Sequence, residues 1–519
     1  MTIATNPYIA GKPVGKTPNF IGRDDVLREV ERFLRNPHQH ALTLYGQRRI
    51  GKTSILHYLE GTLPQRGDYV PVFFDLMTRA DTSLDGILGD LARTIADRLH
   101  LPDRVPDPPL TRSLHTTFLS SVFAQMPESA TLVLLLDEFD VLDNTQNPSR
   151  GFFNYLREFF RSDFPRLKFV FVLGHNIDDL SNIVYGLFKD VPSKRISFLS
   201  EQDIAALVRL SERQGSLDWS DEAVHAVWQL TGGHPFLTQA LCGAVWDAAY
   251  DQSDTPEPVQ ATAVEHAITP TLDGYRHALE WIWNGLGPAE KVAAAALAGL
   301  GQTIVDEEQL VAVLDESGVR IVLRELREAP KKLQDWDILV SANGGYRFRV
   351  ELLRRWIALN KPLSRTQEEL DRIEPLADNL YNAARILYND NKLQEAEVEL
   401  RRVLNLNPNH SGARELLAEL LLFNNRWTEA QTELETLFDI APRRARSRLK
   451  QVYLEQMKSA TGPEQRRALI DRAWERLADD PDIRSEHHRL YRELGASYEA
   501  QDRLSEALQA YEQAEDIPA

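Results

Sequence analysis

The sequence predicts a multidomain protein with an α/β domain on a parallel sheet towards its start and an all-α solenoid at the end. Three observations carry this. Gly46 to Thr53 reads G-x-x-x-x-G-K-T between an apolar run, "ALTLY", and a helix-like run, "SILHYLEGTL". A second apolar run, "TLVLLL", ends in Asp137-Glu138. From Ala377 the chain repeats with a period of 34: Ala396 and Ala430 are one period apart, and so are Pro408 and Pro442.

Composition bounds the function. With 519 residues and 43% hydrophobic content, the chain has material for three or four cores. Its net charge of −18 and pI near 5.3 argue against bulk attraction to nucleic acid or anionic membranes. The single cysteine, Cys242, excludes an intrachain disulfide framework and reads as a small buried hydrophobe. "MTIATNPYIAG" lacks the basic and apolar regions of a signal peptide, and the longest apolar runs fall short of a membrane span. A cytoplasmic location is expected.

The stretch 1–19 reads as a linker. It contains "GKPVGKT", Gly11 to Thr17, which has three residues between the glycines where a phosphate loop needs four. No apolar strand precedes it, and Pro13 and Pro18 break any following helix. The stretch from Gly46 satisfies the requirement. Glycines let backbone N–H groups converge on phosphate oxygens, and the N-terminus of the following helix adds positive potential. Gly46, Arg49, Gly51, Lys52, Thr53 and Ser54 are the expected nucleotide contacts. Lys52 pairs with the β- and γ-phosphates, and Thr53 holds Mg²⁺.

Hydrolysis needs a carboxylate for the metal and a base for water, expected on a neighbouring strand. A strand buried on both faces reads as continuous apolar sequence, and its C-terminal end faces the ligand crevice. Asp137 is therefore assigned to Mg²⁺, through water, and Glu138 to the attacking water, with Asp140 in support. A third strand, "LKFVFVLG", runs into His175-Asn176. Two readings stand for that pair: a γ-phosphate sensor, or an ordinary polar exit from a strand.

"NFIGRDDVLREVERFL", the phosphate loop, "LLLDEFD" and "LTGGHPFLTQAL" together resemble the STAND class of P-loop ATPases, a branch of the AAA+-like group, over roughly residues 20–359. The resemblance implies a P-loop ATPase domain over 20–200, a helical lid over 201–275 and a winged-helix domain over 276–361. It implies that Phe20 to Arg23, with Gly22 and Arg23, lies against adenine and ribose, and that Pro235 of Gly233-His-Pro packs on the nucleotide from the lid. Independently, Gly232-Gly233 before His-Pro reads as a sharp break between two helices. In the winged-helix segment, "DILVSANGGYRFRV" reads as a hairpin turning at Asn343-Gly344-Gly345. Relatives often carry a His there that touches the β-phosphate of ADP. This chain has Phe348-Arg349-Val350, so Arg349 either makes that contact or faces water.

Residues 362–519 are expected to form a tetratricopeptide solenoid of four helix pairs. "LQEAEVELRRVLNLNPN" and "WTEAQTELETLFDIAPR" align without a gap, and the last unit is "YRELGASYEAQDRLSEALQAYEQA". Small residues let paired helices approach, and the proline stops the second helix. Such solenoids leave a concave groove that holds a partner protein. The run "RRARSRLK" reads either an acidic ligand or, as a charged helix face, only solvent.

The expected function is an ATP-dependent switch. It binds ATP/ADP with Mg²⁺, hydrolyses ATP slowly, forms nucleotide-dependent homo-oligomers and acts on an effector protein in trans, in bacterial defence or stress signalling as the resemblance implies. One alternative is a DNA-acting ATPase reading DNA with the winged helix, although Glu325 and Glu328 interleave with its arginines. Another is a repeat scaffold with structural nucleotide.

Overall fold

The structure is a computed structural model. It describes residues 4–79, 81–101, 105, 107–108, 110–142, 150–159, 164–174, 182–301, 304–320 and 324–515. The chain divides into two compact units: Met1–Gly285 with Gln334–Val340 and Phe348–Trp356, and Leu286–Leu333 with Ser341–Arg347 and Ile357–Ala519. The segment 276–361, expected as one winged-helix domain, thus contributes to both.

The first unit is built on five parallel strands: β1 (Ala41–Tyr45), β2 (Tyr69–Asp75), β3 (Thr131–Asp137), β4 (Leu167–Leu173) and β5 (Ser193–Arg195). Their order is β2-β3-β4-β1-β5. This corrects one expectation. The acidic strand β3 is not the neighbour of β1, because β4 lies between and pairs with both. The reason is burial: β4, "LKFVFVL", is buried along its whole length, which suits the central position.

Alternation along the strands feeds two cores. Leu132, Leu134 and Leu136 of β3 join Phe169 and Phe171 of β4 on one face, against helices Leu84–Arg98 and Arg150–Phe159. Val133, Leu135, Val170 and Val172 face the other way, against helices α1 (Asp24–Arg35) and α2 (Lys52–Arg66).

Helices from Glu201 to Gln252 follow the sheet. Ser200 and Asp203 form a capping box, and Ser220 caps Asp221–Thr231. The break read at Gly232-Gly233 is present: both have positive φ, 56° and 94°. His234 then caps the helix Pro235–Gln252, with Pro235 in its first turn. Among the described residues no helix is long and apolar enough to cross a membrane.

A two-stranded hairpin, Leu339–Ala342 with Gly345–Phe348, turns at Asn343 and Gly344, both at positive φ.

In the second unit, eight helices run from Pro375 to Glu515 in four consecutive pairs. Ala396 and Ala430 are fully buried, as close helix packing requires. Pro442 follows the end of helix Trp427–Ile440 and also opens the next helix, Pro442–Ser459, where its missing N–H costs nothing. Four of the five cations of the basic run pair internally. Arg444 and Arg448 pair with Glu415, Arg446 with Asp479, and Lys450 with Asp480 and Asp482.

Candidate nucleotide-binding site

The loop between β1 and α2 has the geometry its glycines predict. Gly51 caps α2 at φ 97°, a backbone conformation that L side chains rarely adopt. Gly46 serves packing: a Cβ there would lie 2.4 Å from the Ile196 carbonyl oxygen. Lys52, 4% exposed, donates from Nζ to the carbonyls of Gly46 (3.0 Å) and Gln47 (2.8 Å), so its ammonium is held inside the loop. Burial lowers its pKa, against the pull of Glu138, Asp140 and Asp137.

Although β4 separates β1 from β3, Thr53 Oγ1 at the start of α2 donates to Asp137 Oδ2 at 2.7 Å. Burial raises the pKa of Asp137, opposed by this hydrogen bond. Glu138 sits in the left-handed region at φ 50°, a strained position for a non-glycine residue. Burial also raises its pKa, opposed by Lys52 and reinforced by Asp140 and Asp137. Asp140 accepts from the Gly174 amide at 2.8 Å and ties the end of β3 to the end of β4. The hydroxyl and carboxylate of Thr53 and Asp137 are hard oxygen donors, which suit Mg²⁺ with water completing its shell.

A cleft of about 420 Å³ opens over this loop. Arg23, Arg49, Gly51, Lys52, Thr53, Ser54, Asp137, Glu138 and Pro235 line it. Arg23 is also structural: its guanidinium donates to the carbonyls of Ser197 and Ile50, both at 2.7 Å, and burial brings its pKa down to about 10. Arg49 and Arg48 lie over the Trp281 ring at 5.2 and 4.7 Å.

Three expected contacts do not line the cleft. Gly46 and Gly22 are packing glycines; a Cβ on Gly22 would lie 2.4 Å from Asp203 Cγ. Arg349 is engaged elsewhere. It pairs with Asp337 at 2.8 Å, donates to the Gly232 carbonyl at 3.1 Å and covers the Phe198 ring. Asp337 in turn accepts from Arg195 and Ser197. His175 and Asn176 lie outside the described residues.

Sequence reasoning missed two contributors. Asp75 ends β2 directly opposite Asp137 and lines the cleft. Its signal, an acid closing an apolar run, is the one that found Asp137. The other is the stretch read as a linker. Tyr8 Oη bonds to the Val208 carbonyl and Ser211 Oγ, and Asn6 to the Gly243 carbonyl. Gly15 packs on α2, and Ile9, Gly11 to Val14 and Asn19 line the cleft. Part of "GKPVGKT", Gly11 to Val14, thus forms a wall of the cleft.

The sheet, the glycine-lined loop and the acid pair define a P-loop NTPase. A model of the AAA domain matches residues 35–180, and a model of the tetratricopeptide repeat matches residues 387–453. The chain thus carries an AAA-type ATPase domain and tetratricopeptide repeats. No curated protein matches it. Among solved structures it is similar to the Walker-type ATPase of Pyrococcus abyssi, at 15% identity over 67% of this chain and 98% of that one, with a TM-score of 0.49. It is also similar to Cdc6p from Pyrobaculum aerophilum (19% identity, 67% and 93% covered, TM-score 0.37). A third is the RuvB Holliday junction branch migration motor of Thermotoga maritima (16%, 63% and 92%, TM-score 0.33).

Proposed function

We propose that the chain is an ATP-dependent switch of the STAND type. In this reading 201–275 is the lid, 276–361 the winged-helix domain, and the repeats hold a partner protein. The observation that carries it is the make-up of the cleft. Its walls come from the N-terminal stretch, the phosphate loop and the start of helix Pro235–Gln252. A nucleotide touching all three ties their positions to its own phosphate state, and a switch needs such differential binding.

Lys52 neutralises the β- and γ-phosphates. Thr53 and Asp137 hold Mg²⁺, which when bound offsets phosphate charge. Glu138 accepts a hydrogen bond from the attacking water and orients it toward the γ-phosphorus. ADP keeps the switch closed, a ligand on the repeats opens it, and ATP drives self-assembly. Slow hydrolysis then resets it, and the effector is a separate protein.

The test is to identify the nucleotide that co-purifies and to weigh the assemblies by mass photometry with ATP and Mg²⁺. The expected result is an ADP-loaded monomer that forms ATP-dependent oligomers, enhanced in Glu138→Gln and lost in Lys52→Ala. A monomer in every nucleotide, with and without a repeat-bound partner, sinks the self-assembly mechanism. The DNA-acting alternative is less well supported, because Arg324 pairs with Glu328 and Lys332 with Glu290.

A further inference from the structure

Two buried side-chain amides in the cleft have no role in phosphate chemistry. Asn19, at the end of the N-terminal stretch, is 6% exposed, and Gln239, on helix Pro235–Gln252, is 5% exposed; both line the cleft. Gln239 Oε1 accepts from the Ile9 backbone N–H at 2.9 Å and from Asn19 Nδ2 at 3.2 Å. Asn19 Nδ2 also donates to the Pro7 carbonyl at 2.7 Å. A backbone N–H can only donate and a carbonyl can only accept, so neither amide can flip. One donor group, Gln239 Nε2, and one acceptor, Asn19 Oδ1, are left over with no partner among the described residues. Neither atom is sealed from solvent, so both are open to a ligand in the cleft, and a bound ring that left them unmatched would bind at a cost. Phe20, Ile21, Leu199, Leu207 and Pro235 supply apolar wall to the same cleft, suited to a flat ring.

We propose that Asn19 and Gln239 are the base-reading pair, which deepens the nucleotide-binding reading above and rests on it. Gln239 Nε2 donates to adenine N1, and Asn19 Oδ1 accepts from the adenine 6-amino group. Guanine and hypoxanthine present the reverse polarity, an N1–H donor and a 6-oxo acceptor, so both contacts become like against like. The N-terminal stretch sets this polarity, because Ile9 and Pro7 hold the amides in place.

The experiment is competition binding on the full-length, nucleotide-stripped chain. A ribose-labelled fluorescent ATP analogue is displaced by ATP, GTP, ITP and purine riboside triphosphate. Wild type is expected to prefer ATP over GTP and ITP by about 100-fold or more. The purine riboside triphosphate keeps N1 but lacks the 6-amino group, and should lose about tenfold. Gln239→Glu replaces the free donor by an acceptor, so the ATP:GTP affinity ratio should fall by about 100-fold. Gln239→Met should weaken ATP by about tenfold with no gain for GTP. Wild-type affinities for ATP and GTP within about threefold, or an unchanged ratio in Gln239→Glu, would overturn the proposal. Should Gln239→Glu not fold, the wild-type series decides, and ITP binding as tightly as ATP refutes the pair. Binding that depends on Lys52 but ignores the base removes only this inference. No Lys52-dependent binding of any nucleotide removes the function proposed above together with it.

Discussion

At the scale of single residues, the site depends on groups whose neighbours hold them away from their ordinary chemistry. Glu138 is held at positive φ beside Lys52 and Asp140. Glu138→Gln keeps the shape and the contacts but cannot accept a proton. Steady-state turnover should drop by about 10² to 10⁴-fold while ATP affinity is retained. Equal losses in both would mean that Glu138 only shapes the site. His234 shows the same principle in a structural role. Its Nδ1 accepts from the Leu237 backbone N–H at 3.5 Å, so the ring must be neutral to cap its helix. Burial lowers its pKa to about 3, with Arg23 contributing. The unfolded chain binds this proton near pH 6.5 and the folded chain does not. Stability from the group is therefore complete above about pH 6.5 and is lost as pH falls toward 3, at up to about 1.4 kcal/mol per pH unit. Urea titrations at stepped pH should show this slope, and His234→Asn, which still caps, should flatten it. An unchanged slope in the variant would assign the acid sensitivity elsewhere.

At the scale of elements, legibility followed periodicity. The phosphate loop, β3, β4, the helix break at Gly232-Gly233 and the four repeat pairs all announce themselves by regular apolar spacing or by glycine and proline in fixed places. The stretch 1–19 has neither. Its proline and glycine content gives the signature of a linker, yet its described part, 4–19, lies along the cleft, held by contacts that only folding brings together. Tyr8 reaches Val208 and Ser211, Asn19 reaches Gln239, and Gly15 meets α2. The position of β3 was hidden for a related reason: apolar runs show which strands are buried, and pairing order is a tertiary property. Arg349 was legible as a charged residue near the hairpin, while its ties to Asp337 and the Gly232 carbonyl were not. The role of the stretch can be tested at Gly15. A Cβ there would lie 2.2 Å from the Ser54 carbonyl oxygen and 2.6 Å from the Tyr58 nitrogen, and α2 holds both rigidly. Gly15→Ala should release the stretch. Limited proteolysis should then cut within it, and a fluorescent ATP analogue should dissociate faster than from wild type. An unchanged cleavage pattern and release rate would make it a passive covering.

At the scale of the whole molecule, all the cleft residues belong to one compact unit and all the repeats to the other. The chain passes between the units at Gly285, Leu333, Val340, Arg347 and Trp356, so the two are linked by several short crossings rather than one. Calorimetry, with hydrogen exchange to assign the transitions, can ask whether they communicate. A ligand at about a hundred times its dissociation constant stabilises the unit that binds it by about 2.7 kcal/mol. For a unit of this size that is a rise of about 5 °C in Tm. ATP and ADP should each produce it in the nucleotide unit, and Lys52→Ala should abolish it. A switch demands more. The free energy of nucleotide state must reach the repeats, and such couplings typically amount to about 1–3 kcal/mol. The transition of the repeat unit should therefore differ between ATP and ADP, although none of the cleft-lining residues lies within it. Because linkage is reciprocal, a partner bound to the repeats must then change the relative affinity for ATP and ADP by the same factor. A repeat transition that ignores nucleotide altogether would leave an AAA-type ATPase domain and a repeat domain on one chain, with no switch between them.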